Sequence, residues 1–261
     1  MPERSKFPQV SPDAHFTPLD FEEVLWHVPA GCPLVGGQAV AWWAERYRAE
    51  LTQTTTSQDI DFWGSREDLL VLAKAMGRRP VFPHAYEMTV WAGAVPLQLQ
   101  GKRTIAEFLH TVPGLDTNNP EAASVEQELQ IRGTSKRLQI LSPVSLVLTK
   151  VHALRHFEQK ERQDEFHLKL CLASIKPFFA ELLKAKQVRL VLWNVRRLVD
   201  CASVRPNQKI CAQHGLDIFS FVPAKMLCAH VESTELSQAD RDKIRRFCSD
   251  YWPRVQAKLK P

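Results

Sequence analysis

Residues 34–64 read LVGGQAVAWWAERYRAELTQTTTSQDIDFWG, and this stretch decides the fold. An apolar pair is followed by two glycines, a helix-like segment, a polar loop and the short acidic strand DIDF. Successive side chains of a strand point to opposite faces, so Asp59 and Asp61 share one face while Ile60 and Phe62 share the other. Two carboxylates at the edge of an apolar core cost free energy unless a cation or a substrate lies there. The stretch therefore predicts a strand, a glycine turn, a helix and an acidic strand around such a site.

The composition is that of a soluble globular protein. The chain has 261 residues, of which 44% are hydrophobic and 24% charged. It has no run of about 18 consecutive apolar residues, the length that a membrane-spanning helix requires. Its first 16 residues contain charges and prolines where a signal peptide would need an apolar stretch. These features predict a cytoplasmic protein with no membrane segment. The six cysteines form no CxxC pair, which favours free thiols over disulfides or zinc.

Charge is distributed unevenly along the chain. Residues 131–261 contain 24 Lys and Arg against 12 Asp and Glu, whereas residues 1–130 contain 10 against 17. One interpretation is that the acidic half holds a metal and a nucleotide while the basic half contacts a polyanion. The alternative is that helices simply carry many surface lysines and arginines.

The periodicity of the sequence divides the chain into two parts. Residues 1–141 mix short apolar strands with helices, including a helix that Ser65 and Asp68 begin with a capping box. Residues 87–93 and 95–101 are predicted to be two strands that turn near Gly93. Residues 142–261 are predicted to be helical. The sequence therefore predicts an α+β core at 1–141, followed by a helical C-terminal domain at 142–261.

Two sets of motifs carry a resemblance to a known family. An apolar strand ending in Gly-Gly, a helix and Asp-x-Asp on the next strand resemble the nucleotidyltransferase fold of the polymerase-beta type. Downstream, the segment from Lys150 to Arg155 and the segment beginning at Asp164 are similar to two helices of the AbiEii-type branch, which includes toxins of type IV toxin–antitoxin pairs. The resemblance spans about residues 30–170. It implies a mixed sheet with flanking helices, followed by a mostly helical C-terminal region.

The resemblance also implies an activity. Members transfer an NMP unit from a nucleoside triphosphate to an acceptor with the help of Mg²⁺ or Mn²⁺. In the resembled branch the acceptor to test first is an RNA 3′ end, such as that of a tRNA, and a cognate antitoxin protein is a further partner. The implied site consists of metal-binding Asp59 and Asp61, nucleotide-binding Gly36, Gly37, Lys150 and Arg155, and catalytic Asp59, Asp61, Lys150 and Asp164.

The implied chemistry agrees with elementary physical arguments. Mg²⁺ is a hard ion that prefers carboxylate oxygens, which Asp59 and Asp61 supply from one face of a strand. Gly36 and Gly37 lack Cβ atoms, so the backbone can approach a triphosphate closely. The helix after them directs free N–H groups and the positive end of its dipole toward the phosphates.

The sequence departs from the family at the third carboxylate. Members place it on a later strand in an apolar-apolar-Asp-apolar stretch, and residues 95–100 offer Gln98 there instead. A neutral amide is a poor general base. The base is then absent, or is supplied by Asp61 or Asp164, with Glu87 as a weaker candidate. Gln98 thus favours an alternative hypothesis, a catalytically silent relative that binds nucleotide, RNA or a partner protein.

The helical half also contains basic and aromatic residues in alternation. Such residues can contact phosphates and stack on bases, although the same spacing is typical of amphipathic helices with buried rings. Both interpretations stay open from the sequence. The residues are Arg189, Arg196, Arg197, Arg245, Arg246, Lys258 and Lys260, with Trp193, Phe247, Tyr251 and Trp252.

Overall fold

The protein is built on one mixed β-sheet. The computed structural model describes residues 8–49, 56–84, 89–116, 118–158, 162–233 and 235–259. The strands in these residues are β1 (Leu34–Val35), β2 (Ile60–Trp63), β3 (Trp91–Leu99), β4 (Lys102–Leu109), β5 (Ser124–Ile131) and β6 (Thr134–Leu141). They form a six-stranded sheet in the order β3-β4-β2-β1-β6-β5. Parallel pairing joins β4 to β2 and β1 to β6, and the other neighbours are antiparallel.

Helices flank the sheet and make up most of the chain after β6. A 3₁₀ turn (Pro18–Phe21) leads into α1 (Glu22–His27). The other helices are α2 (Gly36–Arg46), α3 (Arg66–Ala75), α4 (Pro120–Ala123), α5 (Pro143–His156), α6 (Asp164–Lys184), α7 (Val188–Ser203), α8 (Arg205–Gln213), α9 (Ala224–Ala229), α10 (Gln238–Arg246) and α11 (Trp252–Leu259). The predicted α+β architecture, a mixed sheet with flanking helices and a mostly helical C-terminal region, is confirmed.

The acidic strand β2 lies in the middle of the sheet. Ile60 and Phe62 are buried, and the Phe62 ring packs on Phe108 of β4 with their centroids 5.4 Å apart. Asp61 lies between these two residues and therefore faces the other side of the sheet. The apolar face of β2 thus packs in the core, and its acidic face takes no part in that packing.

The two halves of the chain share one apolar core. Trp43 of α2 donates a hydrogen bond from Nε1 to the carbonyl oxygen of Leu141, at 2.8 Å, and its ring packs edge-on against Phe178 of α6. Because α2 belongs to residues 1–141 and α6 to residues 142–261, this packing holds the helical half against the sheet. The division into two domains stays a prediction.

Two local predictions have different outcomes. Ser65 and Asp68 form the predicted capping box of α3. The predicted turn near Gly93 is wrong, because residues 91–99 form one continuous strand with an irregularity between Trp91 and Gly93. A Cβ on Gly93 would lie 2.5 Å from Leu69 Cδ2 and 2.7 Å from the Val81 carbonyl oxygen, so this glycine permits close packing. Part of the predicted strand at 87–93, including Glu87, lies outside the described residues.

The cysteine prediction is partly wrong. Cys228 of α9 and Cys248 form a disulfide, while Cys32, Cys171, Cys201 and Cys211 are free. The two bonded residues are 20 positions apart, so their spacing matched no familiar motif. In the described ranges, none of the helices has the length and apolar character needed to cross a lipid bilayer.

Candidate active site

Three carboxylates meet on the polar face of the sheet. In the parallel pairing of β2 and β4, Asp61 lies opposite Glu107, so their side chains project from the same face. Asp59 immediately precedes β2 and lies two residues before Asp61. One oxygen from each of Asp59, Asp61 and Glu107 lies within 4.8 Å of the other two. All three residues are half-buried.

Crowding and burial make this cluster electrostatically unfavourable on its own. Burial raises the pKa of Asp61 well above its usual range, and the charges of Asp59 and Glu107 raise it further. Burial and Asp59 likewise raise the pKa of Glu107 to about 7. A divalent cation would remove this repulsion, and close oxygen ligands are the donors that Mg²⁺ and Mn²⁺ prefer. The donor set therefore fits a divalent metal site.

The position of the third carboxylate corrects the prediction from the sequence. Gln98 is exposed and lies opposite Arg103 in the β3–β4 pairing. The carboxylate that joins Asp59 and Asp61 is Glu107, one strand later. Residues 102–109 were not predicted to be a strand, although Ile105-Ala106-Glu107-Phe108 has the expected apolar-apolar-acid-apolar pattern.

The two glycines lie directly against the carboxylates. Val35 pairs with Asp61 across β1 and β2, so Gly36 follows at the point where α2 begins. Gly36 has a φ of +65°, and a Cβ there would lie 1.9 Å from Asp61 Oδ2. A Cβ on Gly37 would lie 2.9 Å from the Ser57 hydroxyl, which donates a 2.7 Å hydrogen bond to Asp59 Oδ1. The N-terminus of α2 and the acidic cluster thus form one site.

Lys150 and Asp164 form a buried ion pair near this cluster. Lys150 Nζ lies 2.9 Å from Asp164 Oδ1, and the side chains are 10% and 2% exposed. Arg162 donates a second hydrogen bond to Asp164. Although burial alone would raise it, the pKa of Asp164 is held below its usual range by Lys150 and Arg162. The positive charge of Lys150 also acts to lower the pKa of Asp61, against burial and the neighbouring carboxylates that raise it.

This pair gives a stability prediction. Asp164→Asn leaves the buried Lys150 ammonium without a countercharge, which typically costs about 3 kcal/mol of unfolding free energy. Glu165→Gln is the matched control, because it removes the half-exposed contacts of the same helix with Lys169 and His214. Exposed pairs contribute less than about 1 kcal/mol. Urea unfolding of both variants at pH 7 measures the difference, and equal losses would contradict a supporting role of Asp164.

Two further residues of the helical half have neighbours that the sequence did not reveal. His167 of α6 is buried, and its Cε1 lies 3.4 Å from the position of a Cβ on Gly37. From the sequence alone, His167 is a buried or exposed helix residue and not a metal ligand, because no partner accompanies it at ligand spacing. Arg155 donates a 2.9 Å hydrogen bond to Asn207 of α8, and its contact with a nucleotide stays a prediction.

The basic residues of the helical half are not all available to a ligand. Arg197 is 4% exposed, and its guanidinium binds both carboxylate oxygens of Asp116. Arg196 lies over the ring of Tyr251, with its Cζ 5.8 Å from the ring centroid. Lys260 lies outside the described residues. Arg197 therefore serves the packing of α7, and it is removed from the set that could contact nucleic acid.

Comparison with known proteins adds little to this description. No protein-family model and no curated protein sequence matches the chain. A solved structure, an antigenic nucleotidyltransferase-like protein from Paracoccidioides brasiliensis, is similar over 79% of this chain and 89% of that chain, with 14% identity and a TM-score of 0.42. A likeness at this level says nothing about the function of this chain.

Proposed function

We propose that this chain is a metal-dependent nucleotidyltransferase that transfers an NMP unit from a nucleoside triphosphate to an acceptor hydroxyl. The observation that carries the proposal is the cluster of Asp59, Asp61 and Glu107 directly against the glycine turn at the start of α2. A cation site beside a helix N-terminus suits a ligand that is itself a polyanion bound to a metal.

Each residue has a role in this proposal. Asp59, Asp61 and Glu107 hold Mg²⁺ or Mn²⁺, which neutralises the charge that develops on the phosphate oxygens. Gly36 and Gly37 let the triphosphate approach the free N–H groups of α2. Lys150, held in place by Asp164, contributes a fixed positive charge.

In the chemical step the acceptor hydroxyl gives up one proton and receives the nucleotidyl group. The acceptor hydroxyl loses its proton, its oxygen forms a bond to the α-phosphorus, and the bond to the β-phosphate breaks to release pyrophosphate. Glu107 is the candidate to accept the proton, because it offers one oxygen to the cation cluster and has a second carboxylate oxygen.

The identity of the acceptor and partner belongs to the same proposal. The resemblance to the AbiEii-type branch supports an RNA 3′ end, such as that of a tRNA, as the acceptor and a cognate antitoxin protein as a partner. The hypothesis of a catalytically silent relative depended on Gln98 as the third site residue. Because Glu107 lies among the aspartates instead, that support is removed.

Label transfer tests the proposal. The purified protein is incubated with each α-³²P-labelled nucleoside triphosphate, Mg²⁺ or Mn²⁺, and total RNA. We expect metal-dependent label on an acceptor, lost by at least about a hundredfold in Asp59→Asn, because a metal ligand is removed. Asp242→Asn changes a solvent-facing pair with Arg245 and is the control. Nucleotide binding without transfer would contradict the proposal and support the silent relative.

A further inference from the structure

His167 is a buried polar side chain that the proposed mechanism does not use. It is 8% exposed, and neither ring nitrogen has a hydrogen-bond partner among the described residues. A buried polar group left without a partner typically costs about 1–3 kcal/mol. Each such group in a folded protein calls for an explanation, such as a catalytic role or a bound water or ion.

The position of His167 indicates where such a ligand would lie. Its Cε1 is 3.4 Å from the place of a Cβ on Gly37, so the ring lies beside the first turn of α2. The N-cap residue of this turn, Val35, has no side-chain acceptor and makes no capping hydrogen bond. The free N–H groups of an eleven-residue helix and an unpartnered imidazole thus meet at one place.

The surrounding charges favour an anion at this place. The positive charges of Lys150 and Arg162 act to lower the pKa of the His167 ring, and the negative charge of Asp164 acts to raise it. Burial, together with Lys150, lowers the pKa of His167 to about 3, so the ring is neutral at pH 7 and has one N–H donor. The positive end of the α2 dipole adds to the positive potential.

A metal ion fits this position less well than an anion does. Among the described residues, the carboxylates that could share an ion are Asp59, Asp61 and Glu107, and His167 does not belong to that group. A single imidazole beside two cationic side chains is a poor cation site. The groups that His167 shares this place with are hydrogen-bond donors and the positive charges of Lys150 and Arg162, next to the carboxylates that would hold the metal.

We propose that His167 binds the polyphosphate tail of the substrate, with a ring nitrogen donating a hydrogen bond to a β- or γ-phosphate oxygen held at Gly36 and Gly37. This inference rests on the proposed function, since it assigns a residue to the nucleotide of that same site. Neither nitrogen is exposed in the free chain. Binding therefore requires a local change that uncovers a ring nitrogen.

Two variants separate hydrogen bonding from packing. His167→Phe keeps an aromatic ring and removes both nitrogens, whereas His167→Gln keeps an N–H donor. We expect His167→Phe to bind nucleoside triphosphates roughly tenfold more weakly, because one hydrogen bond to a charged oxygen is lost. His167→Gln should retain most of the affinity. Binding of NMP, which lacks the tail, should be unchanged in both.

Stability gives an independent readout. Because His167→Phe removes a buried group without a partner, we expect its Tm without ligand to stay the same or to rise by about 2–4 °C. A purely structural histidine would lose stability and binding together. Differential scanning calorimetry and isothermal titration on the same samples distinguish the two roles. If His167→Phe does not fold, His167→Gln decides, since weak triphosphate binding by that folded variant would contradict donation from this position.

Inorganic tripolyphosphate with Mg²⁺ separates this inference from the proposed function. Tripolyphosphate binding that His167→Phe weakens, without binding of any nucleoside triphosphate, would support the anion pocket and overturn the nucleotidyltransferase proposal. Triphosphate binding of equal strength in wild type and His167→Phe would overturn only the role of His167. Equal losses for NMP and NTP would also overturn it, and binding of neither tripolyphosphate nor nucleotide would overturn both.

Discussion

Glu107→Gln is expected to reduce nucleotidyl transfer by about a thousandfold, because it removes both a metal ligand and the candidate general base. Gln98→Glu, which places a carboxylate where the sequence alone predicted one, is expected to leave the rate unchanged. One change removes a carboxylate and the other adds one at the second position, so the comparison tests the location of the third carboxylate directly. Rates are measured under single-turnover conditions with saturating Mg²⁺. A gain of activity in Gln98→Glu would contradict the placement of Glu107.

The same variant has an expected signature in stability. The pKa of Glu107 in the folded chain is about 7, above its value in an unfolded chain, so the folded state binds the proton more tightly. Protonated Glu107 therefore favours the folded state below pH of about 4.3, and this contribution is lost as pH rises toward 7. We expect metal-free wild type to lose stability across this window, and Glu107→Gln to lose less. Mg²⁺ should restore stability above pH 7 in wild type alone.

Thermal unfolding at pH 5, 6, 7 and 8, with EDTA or with Mg²⁺, measures both effects. Metal binding displaces protons from carboxylates, so the Mg²⁺-dependent rise in Tm should increase from pH 5 to pH 8. A pH profile that is identical in wild type and Glu107→Gln would show that Glu107 is not in the crowded cluster.

Gly36→Ala is expected to lower transfer by about a hundredfold, as misplacement of a reacting group by about 1 Å can do. Its new Cβ would lie 1.9 Å from Asp61 Oδ2, so the Asp61 carboxylate must move away from the cluster with Asp59 and Glu107. Gly215→Ala is the matched control, since Gly215 has the same φ of +65° and no neighbouring atom within 4 Å of its Cβ position. Both variants incur the cost of left-handed backbone, about 1–2 kcal/mol.

The difference between the two alanine variants isolates the contact with Asp61. Transfer rate and Mg²⁺ affinity should fall in Gly36→Ala and stay unchanged in Gly215→Ala, although both variants lose stability. Isothermal titration with Mg²⁺ at pH 8 provides the affinity. If the two variants behave alike, the close approach between the helix start and the acidic strand has no functional importance.

The sequence contained the acidic strand, the glycine turn and the start of α3 because each depends on residues close together in the chain. Because side chains alternate along a strand, Asp61 and Phe62 point to opposite faces of the sheet. The capping box of α3 needs only Ser65 and Asp68. Such local signals need no knowledge of the partners across the sheet. The α+β class and the helical second half were predicted for the same reason.

The third carboxylate was missed because its position depends on pairing between distant strands. A turn predicted near Gly93 divided β3 in two, so the strand that carries Glu107 received no place in the sheet. The glycine is required there by the approach of Leu69 and the Val81 carbonyl oxygen, which no local pattern reveals. The burial of His167 beside Gly37 and the disulfide between Cys228 and Cys248 likewise arise from tertiary packing.

The order of the strands has a consequence for how the protein is synthesised. Strand β2 pairs with β4 on one side and with β1 on the other, and β1 in turn pairs with β6. The centre of the sheet therefore joins segments that lie between residue 34 and residue 141. Lys150, Asp164 and His167 follow later still. Pairing over such sequence separations is slow compared with the formation of local structure. A nascent chain on the ribosome therefore lacks these residues of the candidate site until residue 167 has been added, and we expect no stabilisation by ligand at that site before then.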